Sequence, residues 1–255
     1  MTNDQKMVKQ ITITQKDETS LERLKKFRNV SVNNQPQDYK NKVVLKPWGY
    51  EYLIFENEYV AVWFLHINKG HSTSMHCHPG KKTSLILLSG AALCNTFERR
   101  NYLEGIDAII FEKAVFHSTK ALSANGIDVI EIETPPDKTD LVRLNDEYGR
   151  ELSGYEGLTE MRTNNLNEFN YFFLKSPENF ESYNHCMPHY SISVEGFPDN
   201  GKLSVSDIQD NALYSLCKGR IFDSDDKIVL DVGDTGQGKT LKARGNVRIR
   251  DKIIF

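Results

Sequence analysis

Cysteine is scarce in this chain, and the four residues stand apart at positions 77, 94, 186 and 217 in a length of 255. None forms a Cys-x-x-Cys pair, and a disulfide framework would be unusual in a chain this long, so free thiols in a reducing compartment are expected. An excess of one charge sign is also lacking. Lysine and arginine number 32 against 35 aspartates and glutamates, for a formal net charge of -3. Nothing there resembles the basic stripe that nucleic acid demands. No apolar run reaches transmembrane length, and the polar opening Met1-Thr-Asn-Asp-Gln-Lys6 has no apolar segment of a secretory signal. The expectation is a cytoplasmic protein with neither a membrane nor a nucleic-acid partner.

What is present is an ordinary globular composition, 39% hydrophobic and 26% charged, long enough for one large or two modest domains with a proper core. Residues 1–40 read as a helix and a linker. Thr19-Ser-Leu-Glu22 has the capping-box pattern, Leu21, Leu24 and Phe27 follow at helical spacing, and Asn33 to Asp38 is polar. From Val43 the pattern changes to short strands rich in β-branched and aromatic residues: Tyr59–Ile67, Thr83–Ser89, Ala108–Phe111 and Ile127–Thr134, stopped by Pro135-Pro136. A mixed polar stretch over 140–170 reads as a crossover with short helical turns. Further strands are expected at Tyr190–Val194, Ala212–Leu216 and Lys227–Val232, with turns at Lys218-Gly219 and Gly233-Asp234. Many short strands with few long helices mean a sandwich or barrel. The second half weakly echoes the first, which divides the chain into 1–40, 41–150 and a degenerate repeat over 151–255.

The most informative stretch is Gly70-His-Ser-Thr-Ser-Met-His76-Cys-His78. Two histidines one residue apart on a strand project to the same side, because side chains alternate. Cys77 between them points away and reads as packing filler. His117 follows later, just past the apolar run Ala108–Phe111. Three neutral imidazoles make a legitimate metal site with positions left open for water or substrate. Zinc, iron, manganese or nickel would each suit it.

The glycine, His-x-His, strand and second glycine at Gly90 resemble the first cupin motif. The resemblance is closest to the cupin domain of type II mannose-6-phosphate isomerases, often fused to mannose-1-phosphate guanylyltransferase. Lys46-Pro-Trp-Gly-Tyr-Glu51 is similar to the family's opening strand, and Thr139-Asp-Leu-Val-Arg-Leu-Asn-Asp-Glu-Tyr-Gly-Arg150 to its closing segment. The resemblance runs from about Val44 to Arg150. It implies an all-β cupin (RmlC-like) jelly-roll barrel, a bicupin if the degenerate second half repeats it, with homodimer pairing common to such folds.

Two departures stand out. The family's glutamate ligand after the two histidines is Thr83 here, and its Pro-x-Gly-x-x-His motif is Glu112-Lys-Ala-Val-Phe-His117. His76, His78 and His117 remain as candidate ligands, with Glu112 a candidate for the missing carboxylate. Arg143, Tyr148 and Arg150 match the closing segment and suit a sugar phosphate; a salt-bridged connector is the competing reading. Lys81 and Lys82 sit where they could attract an anion, or are simply solvated. His66 and His71 read as structural. His185 and His189 flank Pro188, which argues against one helix face, and stay unassigned.

The resemblance implies a metal-dependent enzyme of sugar-phosphate or surface-polysaccharide metabolism, an aldose–ketose isomerase with Glu112, Glu131 or Glu133 as its base. A three-histidine iron dioxygenase fits the ligand set better and the flanks worse. A non-enzymatic sugar-binding or regulatory cupin fits the altered motifs. Gly233-Asp-Thr-Gly-Gln-Gly-Lys-Thr240 matches the P-loop expression letter for letter, but too little chain follows for the helix and parallel sheet that the mechanism needs, so a β-turn is expected there.

Overall fold

The computed structural model describes residues 8–27, 38–150, 155–178, 181–197, 202–203, 206, 208–244 and 247–254. Its first half runs β1 (Val8–Ile11), α1 (Gln15–Phe27), β2 (Val43–Lys46), β3 (Gly49–Glu56), β4 (Ala61–Ile67), β5 (Met75–Cys77), β6 (Lys82–Ser89), β7 (Ala91–Asn95), β8 (Arg100–Glu104), β9 (Ala108–Phe111), β10 (Ser118–Ala121), β11 (Ile127–Thr134) and β12 (Val142–Asn145). After two short 3-10 turns and β13 (Met161–Arg162) come β14 (Ser182–Cys186), β15 (Ser191–Glu195), β16 (Lys202–Leu203), β17 (Leu213–Phe222), β18 (Ile228–Asp231), β19 (Thr235–Gln237), α2 (Gly238–Ala243) and β20 (Val247–Ile254).

An eight-stranded sheet in the order β1-β9-β6-β11-β4-β3-β2-β13 faces two small sheets, β10-β7-β8 and β12-β5. Between them Trp63, Leu65, Leu85, Leu87, Ile109 and Val129 pack with Ala92, Cys94, Leu103 and Ala121. This is an all-β jelly-roll barrel. The large sheet is buried on its other face too: Val62, Phe64, Ile86, Ile130 and Ile132 lie against Phe172, Leu174, Ile192, Val194 and Cys217 from the second half. Burial on both faces explains why these strands read as nearly continuous apolar runs rather than alternating ones. Gly49 shows why the Pro-Trp-Gly motif needs its glycine. It has φ +152°, and a Cβ there would lie 2.0 Å from the His66 carbonyl oxygen.

The described residues of the N-terminal segment pack onto the barrel. Strand β1 pairs in parallel with β9, Val8 opposite Ala108. Helix α1 begins earlier than the expected Thr19. Its cap is Thr14 and Asp17, in which Asp17 N–H donates to Thr14 Oγ1 at 3.3 Å and Thr14 N–H donates to Asp17 Oδ2 at 2.9 Å. Leu21 and Leu24 pack on Cys77, Ala114, Phe116 and Val142, as a helix face should. Most of the linker expected over 33–38, and the side chain of Phe27, lie outside the described residues.

The described residues of the second half form one antiparallel sheet in the order β14-β15-β20-β17-β18, with β16 and β19 at its sides. Lys218-Gly219, expected as a turn, lies inside β17, where Gly219 has φ +78° and the register to β20 shifts. The P-loop lookalike does turn at Gly233 (φ +79°), then continues as β19 and the six-residue α2. Its glycine serves packing: Ser84 Oγ donates to the Gly233 carbonyl at 2.6 Å, and a Cβ there would lie 2.0 Å from Thr134 Oγ1. Among the described residues no helix is long and apolar enough to cross a membrane.

Candidate metal centre

The barrel fold brings the three histidines together. His76 lies on β5, His78 one residue past its end, and His117 one residue before β10. The backbones of His76 and His117 pair reciprocally, N–H to C=O, at 3.0 and 2.8 Å. One ligand nitrogen from each ring can be chosen so that all three lie within 4.8 Å of one another. His78 and His117 are buried and His76 half-buried.

The orientation of the rings follows from their Nδ1 atoms. His76 Nδ1 is 2.8 Å from the Ser74 carbonyl, His78 Nδ1 2.6 Å from the Asp140 carbonyl, and His117 Nδ1 3.0 Å from the Val115 carbonyl. A carbonyl only accepts, so each Nδ1 carries the proton and each Nε2 presents a lone pair. Phe111 stacks on the His117 ring at 4.1 Å and fixes its plane. Burial pushes the His76 and His78 imidazoles well below their ordinary value, with His117 next in effect for the first and Lys81 for the second. Burial likewise lowers His117 to about 4. All three are therefore neutral at physiological pH, the form that ligates metal. His78 Nε2 is buried and has no hydrogen-bond partner among the described residues. An orphaned buried nitrogen costs about 1–3 kcal/mol, and a cation at that lone pair would remove the penalty. The donor set fits a divalent transition metal, held by His76, His78 and His117.

Of the three candidate bases, Glu131 lies beside the triad. Its Oε1 lies 4.0 Å from His78 Nε2, on the inner face of the barrel. Burial pushes its carboxyl up to about 7; Lys138 works against this, Glu133 and Glu51 with it. Glu133 shares that face but is taken up by Lys81 at 2.7 Å and Lys138 at 3.1 Å. Glu112 is a correction. It lies outside the pocket and accepts a hydrogen bond from Gln10 at 2.6 Å, because it follows the last residue of β9 at the barrel's edge.

The substrate candidates divide in the same way. Lys81, Arg143 and Arg150 line the pocket. Lys82 does not: strand alternation turns it to the opposite face, where it pairs with Asp234 of the second half. Tyr148 is also off the pocket, its hydroxyl 3.1 Å from His71 Nδ1. His66 Nδ1 is 2.8 Å from Asp128 and His185 stacks on Phe172 at 3.8 Å, so neither belongs to the triad. Thr83, in the place of the family's glutamate, is buried opposite Glu133 with no partner for its hydroxyl among the described residues.

Sequence reasoning missed the charged lining. Lys138 sits 3.2 Å from Glu51, and its Nζ lies 3.8 Å over the Trp63 ring. Burial alone would lower the Lys138 ammonium, but Glu133, Glu51 and Glu131 hold it above its ordinary value. Lys46, Tyr155 and Glu156 complete that wall. The pocket is partly open to solvent, with a cavity volume of about 70 Å³.

No family model and no curated protein matches the chain. Among solved structures it is similar to KdgF from Halomonas sp., at 16% identity over 42% of this chain and 94% of that one, with a TM-score of 0.35. An RmlC-like cupin from Shewanella frigidimarina matches at 15% identity, 44% of this chain, 94% of that one and a TM-score of 0.35. A cupin-superfamily sugar phosphate isomerase from Silicibacter pomeroyi matches at 12% identity, 35% of this chain, 59% of that one and a TM-score of 0.32. Likeness this distant carries no argument about chemistry. The chain's own sheets and histidines define the class: an all-β jelly-roll barrel that brings together three histidines able to hold a metal.

Proposed function

We propose that this protein is a metal-dependent aldose–ketose isomerase acting on a small sugar phosphate bound in the barrel. The observation that carries the reading is the Glu131 carboxyl, 4.0 Å from the lone-pair nitrogen of His78 in a pocket lined by cations. A divalent ion held by the three histidines would supply Lewis-acid polarisation of the sugar's carbonyl and hydroxyl oxygens. Glu131 takes the proton from C2, the carbon beside the aldehyde, and returns it to C1, while the hydroxyl proton of O2 passes to O1, so that no atom is gained or lost. Burial raises this carboxyl above its ordinary value, while a divalent ion at the triad would favour the carboxylate form that accepts the proton first. Glu133 is held by two lysines and serves instead to place Lys81 and Lys138. Trp48, Leu65, Ile67, Leu85 and Val129 line the apolar side of the pocket and limit the water around the exchanging proton.

A second reading, a three-histidine iron dioxygenase, draws on the all-histidine character of the converging set. The test reconstitutes chelated protein with zinc, manganese, iron and nickel in turn and follows interconversion of mannose 6-phosphate and fructose 6-phosphate. Turnover that falls about 10²- to 10⁴-fold in Glu131→Gln, with metal content unchanged, supports the isomerase. Oxygen uptake by the iron form without isomerisation favours the dioxygenase. Sugar binding without turnover in any metal form leaves a binding module.

A further inference from the structure

One carboxylate in the pocket is gripped by more cations than its neighbours need. Glu156 accepts from Lys46 Nζ, from Arg150 Nη1 at 2.6 Å and from Arg143 Nη2 at 3.3 Å. All four side chains are largely out of solvent, 7% exposed for Glu156 and 3%, 15% and 4% for Lys46, Arg150 and Arg143. We propose that Lys46, Arg143 and Arg150 form a subsite for a phosphate monoester, and that Glu156 is its built-in competitor, an intramolecular anion that the phosphate must displace. This rests on the sugar-phosphate reading above and adds to it the group recognised and the residue that opposes binding.

Three observations support it. First, two of the cations keep a carboxylate of their own when Glu156 leaves. Asp146 holds Arg150 through both oxygens, at 2.9 Å to Nε and 2.7 Å to Nη2, and Glu51 lies 3.3 Å from Lys46. The cradle is therefore positioned without Glu156, and planar guanidinium forks match phosphate oxygens. Second, charge balance favours an added anion. Five cationic side chains (Lys46, Lys81, Lys138, Arg143, Arg150) face four carboxylates (Glu51, Glu131, Glu133, Glu156) in the pocket lining, with Asp146 behind Arg150. Withdrawing Glu156 leaves one positive charge in excess. Third, the cradle adjoins the candidate metal centre. Arg143 on β12 is the cross-strand partner of His76 on β5, so an anion held there brings the attached sugar to the triad. Glu156 lies outside any strand or helix, so its backbone is not fixed by a hydrogen-bond ladder.

An intramolecular competitor lowers apparent affinity by the fraction of molecules in which the site is open. Inorganic phosphate, titrated calorimetrically into chelated, metal-free protein at mildly alkaline pH, should bind Glu156→Gln at least about tenfold more tightly than wild type. Mannose 6-phosphate should bind tighter still, and unphosphorylated mannose should not bind the metal-free protein. A second measurement stands if that variant fails to fold. Phosphate should raise the melting temperature of wild type above that in chloride of equal ionic strength, and Arg143→Gln should abolish the rise. Equal or weaker phosphate binding in Glu156→Gln, or no phosphate-specific rise in wild type, overturns the proposal. Since metal is absent throughout, phosphate binding by a protein that never takes up metal would sink the isomerase reading and leave this one standing. Metal-dependent turnover with no phosphate effect would do the reverse.

Discussion

Glu51→Gln tests how the buried charges hold the pocket wall. Glu51 is 3% exposed and lies 3.3 Å from Lys46 and 3.2 Å from Lys138, and it accepts a hydrogen bond from Tyr155 Oη. Burial alone would raise its carboxyl, but Lys138, Lys46 and the Tyr155 hydrogen bond lower it from an ordinary 4.5 to about 2. A shift of that size corresponds to about 3 kcal/mol of stability. The sign follows from the direction. A carboxyl depressed on folding stabilises above its unfolded value of 4.5, and the contribution is lost as pH falls toward 2. Breaking one partner out of a buried ion network gives a similar figure, at the low end of about 3–5 kcal/mol, since Lys46 keeps Glu156 and Lys138 keeps Glu133. Urea denaturation at neutral pH should therefore show Glu51→Gln less stable than wild type by about 3 kcal/mol, or about 6–12 °C in melting temperature for a chain of this size. The gap should close as pH is lowered, because wild type then loses the same charge. A gap below about 1 kcal/mol at neutral pH, or one that does not change with pH, would refute the account of the wall.

Two further outcomes follow from the fold. Asp17→Ala removes both the α1 cap and the acceptor of the Phe116 N–H, 2.9 Å away and next to His117. It should cost about 1–2 kcal/mol in chemical denaturation and weaken metal affinity about tenfold by calorimetry; unchanged metal affinity would detach the N-terminal helix from the site. Lys82→Ala should leave sugar-phosphate affinity unchanged and cost less than about 1 kcal/mol, as its part-exposed pair with Asp234 lies on the far face of β6; a clear loss of affinity would restore it to the pocket.

The site was legible in the sequence where two-residue alternation governs. His76 and His78 share a face because β5 is a strand, and the same alternation puts Cys77 into the cluster with Leu21 and Phe116. Alternation could not choose between Glu131 and Glu133, two residues apart on β11, because both face inward; the choice needed the positions of Lys81 and Lys138. It could have set Lys82 aside, as a neighbour of the inward-facing Thr83. Lys46 and Glu51 stood inside a motif read only as a strand, and their charge pairing was the overlooked signal. Lys138, Tyr155 and Glu156 lie in connecting segments that only the closed barrel brings to the pocket. Strand β1 went unseen because four residues carry little pattern, and its partner β9 lies about a hundred residues later. Helix α1 was started late because Thr14 pairs with an aspartate rather than the glutamate or glutamine of the usual box.

The most direct test of the central claim is a cobalt(II) titration of chelated protein, followed by the visible absorption of the bound ion, in wild type and in His76→Ala/His78→Ala. The account predicts one ion per wild-type chain with ligand-field bands of nitrogen coordination, and no binding in the double variant. No uptake by wild type, or equal uptake by the variant, would contradict it.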